Sequence, residues 1–314
     1  MERRDFLAAG ATLLIPGRLT QRSPEAPPAG AAGVRIDIFS KHLLWLRGAD
    51  QVAEAAVAMG FSGVNVTVRP GLMGHVEPAR VAGDLPPFVR ALRARGLQVR
   101  SLTAPILDVD SPHADAILRT AAALDIRSYW WGTFRYGAER PVPEQLAALR
   151  PRVAALAALN ARYGVCAMYH TYNGNAVGAS IWDMLSILRE FDPSQVGFHY
   201  DTGHMATEGA AGSWATNLKV IGPYLRGVSV KDYGWQRGVD GEWQRQAVPL
   251  GEGVVKLREF GAILREQRFA GPLELQAEYP LGGAEDGRTT LTIPQDQVFA
   301  ALARDRETLS RALI

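Results

Sequence analysis

Residues 195–204 read Gln-Val-Gly-Phe-His-Tyr-Asp-Thr-Gly-His. A short apolar run, Val196 to Tyr200, delivers the carboxylate of Asp201 and the imidazole of His204 into a turn, with Gly203 between them to let the backbone bend back. A parallel-barrel strand has this form where it meets a site. Similar polar ends recur along the chain. They carry Phe39-Ser40-Lys41-His42, Arg69 with His75 behind it, Thr103, Trp130-Trp131 with Arg135, His170 with Tyr172 and Asn173, Lys231-Asp232 with Trp235, and Glu278-Tyr279. Four of the six histidines (His42, His75, His170 and His204) fall at or just after such ends. Imidazoles, carboxylates, a lysine, arginines and tryptophans at one mouth suit a polyhydroxylated ligand. Aromatic faces stack on the C–H faces of a sugar, and charged groups bond its hydroxyls.

Each of these residues also has a structural use. Asp201 can cap the next helix, Lys231-Asp232 can form an internal ion pair, and Glu278 can partner Arg69 or Lys231. Trp130 and Trp131 can pack between strand and helix. Placement decides between these roles, so the elements come next.

Eight short apolar strands are expected at 34–40, 63–69, 97–103, 126–134, 165–169, 196–200, 227–232 and 272–278. Amphipathic helices follow them at 48–59, 78–95, 111–124, 143–163, 181–191, 214–225, 254–267 and 294–313. The second helix is expected to break at Pro86-Pro87, and the third to use Ser111 as N-cap with Pro112 in its first turn. Residues between strand seven and its helix read as a loop. Eight alternations define an α/β chain of (β/α)8 barrel type, a TIM barrel, with the strand ends converging on one mouth.

Composition limits the partners. With 34 basic and 32 acidic residues in 314, the net charge of +2 gives no reason to expect nucleic acid or a membrane surface. The single cysteine, Cys166, lies inside a strand and reads as an inert buried thiol. The first residues, Met-Glu-Arg-Arg-Asp-Phe-Leu, lead an apolar run to Ile15 that is too short to span a bilayer. Arg3-Arg4-x-Phe6-Leu7 looks like a twin-arginine export signal, although Glu2 stands where that signal usually has Ser or Thr. Residues 1–33 are therefore expected to be signal and linker, with a periplasmic barrel domain over 34–314 and no membrane contact after cleavage.

Phe39-Ser-Lys-His42, Tyr169-His-Thr171, Tyr200-Asp-Thr-Gly-His204, Val230-Lys-Asp232 and Glu278-Tyr279, in that order, resemble the xylose-isomerase-like TIM barrels. The resemblance spans nearly the whole chain after residue 33. It implies a sugar isomerase, epimerase or related lyase that moves a proton beside a carbonyl. Family epimerases hold one divalent ion with Glu, Asp, His and Glu from strands five to eight. By residue-to-residue match, Asp201 and Glu278 are two of those ligands, His204 contacts a substrate oxygen, and Lys231-Asp232 is the pair beside the seventh-strand ligand. Ser229 stands in place of the family's histidine, and the fifth-strand glutamate has no counterpart, its nearest candidate being His170.

The expected site therefore has Glu278, Lys231 and His204 as catalytic groups. His170, His204, Arg69, Trp131, Trp235 and Asp232 are expected to contact substrate. Asp201, Glu278 and His170 could ligate Mn2+ or Zn2+, while the two missing ligands leave a metal-free site equally open. No dinucleotide or phosphate loop is present, so no nucleotide cofactor is expected. Export favours a non-phosphorylated sugar or keto-sugar as the small-molecule partner. The loop Leu281–Gly287 suits a lid or a contact within a homo-oligomer. The alternative is a barrel that has lost the metal and catalysis and only binds carbohydrate.

Overall fold

Eight parallel strands close into a barrel in the order β1-β10-β7-β6-β5-β4-β3-β2, seen in a computed structural model that describes residues 34–207 and 211–314. The expected export signal and linker, residues 1–33, lie outside the described residues. The barrel strands are β1 (Asp37–Phe39), β2 (Gly63–Thr67), β3 (Ser101–Thr103), β4 (Ser128–Trp131), β5 (Cys166–His170), β6 (Val196–Asp201), β7 (Leu225–Val230) and β10 (Leu273–Leu275). Helices α1 (Ala49–Ala58), α2 (Val81–Ala94), α3 (Ala114–Ala123), α4 (Val142–Tyr163) and α5 (Ile181–Leu188) follow the first five. Helices α6 (Thr202–Thr207) and α7 (Trp214–Val220) follow β6, α8 (Leu257–Glu266) precedes β10, and α9 (Gln295–Leu313) closes the chain. Among the described residues no helix is long and apolar enough to cross a membrane.

Alternation along each strand sets what faces where. Ile38, Val64, Val66, Leu102, Phe198, Val228 and Leu275 are fully buried and belong to the apolar core. The interleaved positions are polar and just as buried: Asp37, Asn65, Thr67, Ser101, Thr103, His199, Ser229 and Glu274. Hydrogen bonds satisfy them internally, as burial demands, except at Nδ1 of His199. Asn65 bonds Ser101 at 3.1 Å, Thr103 at 2.8 Å and Glu274 at 2.5 Å, and Ser229 donates to Glu274 at 2.8 Å. At one end of β1, Asp37 pairs with Arg100.

Several local expectations are corrected. Helix α2 runs unbroken through Pro86 and Pro87, because Leu85, Phe88, Val89 and Leu92 bury one face and hold it in place. Ser111 does not cap α3. Its hydroxyl accepts the N–H groups of Leu107 and Asp108, and His113 at φ 64° leads into the helix instead. Helix α4 ends as expected at Gly164, which takes the left-handed conformation at φ 63°. Gly203 is not a hinge but part of α6. A Cβ there would meet the Tyr233 ring at 2.3 Å and Lys231 Cγ at 2.8 Å, so the glycine allows close packing. The expected loop after β7 contains an antiparallel hairpin, β8 (Asp232–Arg237) with β9 (Trp243–Val248).

Candidate active site

Strands β6 and β7 set the centre. The Thr202 hydroxyl donates to the Lys231 carbonyl at 2.8 Å and accepts the Lys231 N–H at 3.1 Å, locking the two strand ends together. The Asp201 N–H donates to the Thr171 hydroxyl at 2.9 Å, which ties in the end of β5. Held this way, the Lys231 ammonium lies 3.2 Å from Asp201 Oδ2, 2.9 Å from Glu278 Oε1 and 3.0 Å from His204 Nε2. Asp201 also receives the His170 ring at 3.1 Å and the His204 backbone N–H at 3.0 Å. Tyr233 donates its hydroxyl to Glu278 Oε2. Tyr172 stacks on the His204 ring at 4.1 Å, and Trp130 lies 4.0 Å from the His170 ring.

The charges follow from this packing. Burial opposes ionisation of Asp201, yet the Lys231 charge and the hydrogen bonds around it hold the carboxyl well below the usual range. Burial likewise works against the Lys231 ammonium, but Asp201 and Glu278 raise it above the ordinary lysine value. Glu278 is pulled down to about 2 against its own burial, by Lys231 and then Tyr233. Burial lowers His204 to about 3, so its imidazole is neutral. A lysine ammonium has no acceptor, so His204 Nε2 accepts from Lys231 and the ring hydrogen resides on Nδ1, where no protein partner meets it. Of the two carboxylates, Glu278 alone is open to the mouth, with 29% of its side chain exposed, whereas Asp201 is fully buried.

The expected site residues divide on this map. Glu278, Lys231, His204, His170 and Asp201 come together. Trp131 does not reach the mouth. It packs on Phe134 and Tyr169 and donates to the Leu107 carbonyl at 2.8 Å, and its neighbour Trp130 faces the opposite way, onto His170. Asp232 turns away from the cluster: its carboxylate accepts the backbone N–H groups of Tyr233, Gly251, Gly253 and Val255 at 2.9–3.1 Å and staples the loop 249–255. Arg69 lies 5.9 Å over the Phe39 ring, and Trp235 stands half exposed on β8.

Two of the strand-end histidines are joints. His42 links the Ala284 carbonyl to the Ala277 N–H, and His75 contacts the Leu46 carbonyl and the Ser40 and Thr67 hydroxyls. Tyr233 was missed from sequence although alternation along 231–233 places it on the same side as Lys231. Glu274, pushed up to about 7 by burial inside the barrel, was missed as well.

The expected metal trio does not fit a divalent ion. Among the described residues no three histidine, cysteine, aspartate or glutamate side chains are grouped to hold one. The physical reason is Lys231, whose ammonium occupies the point that Asp201 and Glu278 both face. Ser229, in place of a ligating histidine, is turned inward onto His199 and Glu274.

Residues 53–292 match the family described as xylose isomerase-like TIM barrel. Among solved structures, 3-keto-D-glucoside 4-epimerase from E. coli superposes with a TM-score of 0.61 at 15% identity, covering 82% of this chain and 94% of that one. A xylose isomerase domain protein from Planctomyces limnophilus gives 0.62 at 17% identity, covering 90% and 98%. D-allulose 3-epimerase from a Methylomonas species, in complex with D-allulose, gives 0.61 at 17% identity, covering 89% and 97%. Curated protein sequences gave no significant match.

Proposed function

The chain belongs to the xylose isomerase-like TIM barrels, and from that premise we propose that it is a carbohydrate isomerase or epimerase. It moves a proton at the carbon beside a carbonyl of a non-phosphorylated sugar or keto-sugar. The observation that carries the proposal is the ammonium of Lys231 held among Asp201, Glu278 and His204, with Glu278 open to the mouth. Structural neighbours acting on 3-keto-glucosides and allulose, by their names, support the carbohydrate class.

Glu278 is the base. In the resting site its carboxylate is a weak one, because Lys231 and Tyr233 both donate to it. A substrate oxygen that draws either donor away raises its basicity where the C–H is presented. The Nδ1–H of His204, buried without a protein acceptor, donates to the carbonyl oxygen as charge develops there. Lys231 stabilises the resulting enediolate electrostatically, and Asp201 holds Lys231 and His170 in place. The proton taken by Glu278 is then delivered to the former carbonyl carbon while the hydroxyl hydrogen passes from one enediolate oxygen to the other, so an isomer forms with atoms and charge balanced. Arg3-Arg4-x-Phe-Leu supports export, which removes the protein from intracellular sugar phosphates.

The test is solvent exchange. Free ketoses and keto-glycosides incubated with the protein in D2O are expected to gain deuterium beside the carbonyl, read by NMR, and Glu278→Gln is expected to abolish it. A wild-type protein that binds these sugars but exchanges no proton in any of them would sink the catalytic reading in favour of a carbohydrate-binding barrel.

A further inference from the structure

Pairing across the β8–β9 hairpin places Tyr233 opposite Ala247, Trp235 opposite Arg245 and Arg237 opposite Trp243. Side chains directly opposite in an antiparallel pair share a face, and so do alternate residues along each strand. One side of the ribbon therefore carries Tyr233, Trp235, Arg237, Trp243 and Arg245. The other side carries Gly234, Gln236, Gln244 and Gln246.

The aromatic side is the one from which Tyr233 reaches Glu278 in the mouth. Guanidinium groups hold its rings in place: Arg245 lies 3.9 Å over Tyr233, and Arg237 lies 5.2 Å over Trp243. Beyond the buried Tyr233 the rings open to solvent, with Trp235 46% and Trp243 60% exposed. Two indoles about half exposed on the one ribbon face that runs out from the mouth form an amphipathic track leading from it. At about 3.4 Å per residue, Trp235 stands about 7 Å beyond Tyr233 and the Arg237–Trp243 pair about 14 Å beyond it. That is a track for further rings of a saccharide whose first ring sits at Glu278.

We infer that the hairpin face is a subsite for the remainder of a glycoside or oligosaccharide. This rests on the proposed function and narrows it: the substrate is a sugar joined to at least one more ring. Trp235 stacks on the C–H face of the first such ring and Trp243 on that of the next, and the guanidiniums bond their hydroxyls.

Calorimetric titration of the full chain with fructose and with a linear trisaccharide that ends in a reducing fructose tests it. The trisaccharide is expected to bind about tenfold more tightly, the scale of one well-packed tryptophan contact. Arg237→Ala/Trp243→Ala is expected to remove that advantage and leave fructose affinity unchanged. Equal affinities in the wild type, equal loss for both sugars in the variant, or binding of neither sugar would overturn the inference. A change of oligomeric state in the variant, read by light scattering, would also overturn it and assign the face to a second copy of the chain. Deuterium exchange separates the two proposals: a trisaccharide preference without exchange in either sugar leaves the subsite standing and removes the catalytic reading.

Discussion

Removing the Lys231 ammonium leaves Asp201 fully buried with its main positive partner gone. Breaking a buried ion pair from one side costs about 3–5 kcal/mol. For a barrel of this size each kcal/mol moves the melting temperature by about 2 °C, so Lys231→Met is expected to melt roughly 6–10 °C lower at pH 7. The sign of the pH dependence follows from the carboxylates. Asp201 and Glu278 are both held below their ordinary values, so their stabilisation by Lys231 is present above about pH 4. It is lost as pH falls toward the folded-state values, and the gap between variant and wild type should narrow accordingly.

Truncation of Lys231 to alanine instead empties the point that Asp201 and Glu278 both face, so that these carboxylates and the imidazoles of His170 and His204 can turn into it as a donor set that suits Mn2+. In Lys231→Ala, free Mn2+ at 100 to 1,000 times its dissociation constant is expected to restore about 2.7–4.1 kcal/mol, or roughly 5–8 °C, by mass action. The wild type is expected to show no manganese-dependent shift. Scanning calorimetry with and without Mn2+, with electron paramagnetic resonance to count bound ion, reads both effects. Wild-type protein stabilised by manganese as strongly as the variant would refute the assignment of Lys231 as the resident cation. So would a Lys231→Met variant that melts within about 2 °C of wild type.

Asp232→Ala removes an acceptor shared by four backbone N–H groups. A loss on the order of 3 kcal/mol is expected, with hydrogen-exchange protection falling at Gly251, Gly253 and Val255 rather than across the barrel. Gly203→Ala places a methyl 2.3 Å from the Tyr233 ring, so about 1–3 kcal/mol of destabilisation is expected. Deuterium exchange should quicken with it, because Tyr233 pushed off Glu278 leaves a stronger base there. Burial holds His42 and His204 down to about 3 and His75 to about 4. These groups take up protons on unfolding below about pH 6.5, so stability should fall as pH drops from there by up to about 1.4 kcal/mol per histidine per pH unit. Glu274, raised to about 7, binds its proton earlier in the folded state and opposes this between about pH 7 and 4.5. Urea unfolding across pH 4–8 measures the net slope, and a stability rising toward acid would contradict it.

The barrel was legible because it depends on periodicity repeated eight times, which tolerates errors of two or three residues at each end. The site was legible to the extent that strand ends converge, and Asp201, His204, His170, Lys231 and Glu278 needed nothing more. What escaped depends on single-residue parity. Trp130 and Trp131 are adjacent, so one must face the mouth and the other the helices, and the pattern of apolar residues does not say which. Lys231, Asp232 and Tyr233 pose the same question, and the answer exchanges Asp232 for Tyr233 as the neighbour of Glu278. The polar barrel interior, centred on Asn65, Ser229 and Glu274, escaped because its members are scattered singly between apolar neighbours along short strands. Its members are partners only across strands remote in sequence.

The ammonium at the centre has a consequence for the substrate. A divalent ion brings twice the charge of Lys231 and binds the reacting oxygens directly, whereas all three Lys231 contacts are spent on Asp201, Glu278 and His204. Its attraction for a developing enolate is therefore roughly half as large at equal distance and acts alongside two carboxylates that offset it. Under the proposed function, a site so equipped cannot acidify an ordinary carbinol C–H as strongly as a metal centre does. It fits a substrate that supplies the acidity itself, with the reacting carbon directly beside a ketone. The exchange experiment should then rank keto-glycosides, whose ketone is fixed in the ring, above free aldoses, which are mostly closed to hemiacetals. Aldoses exchanging as fast as keto-glycosides would mean that the site polarises its substrate by more than one buried ammonium and one imidazole N–H can provide.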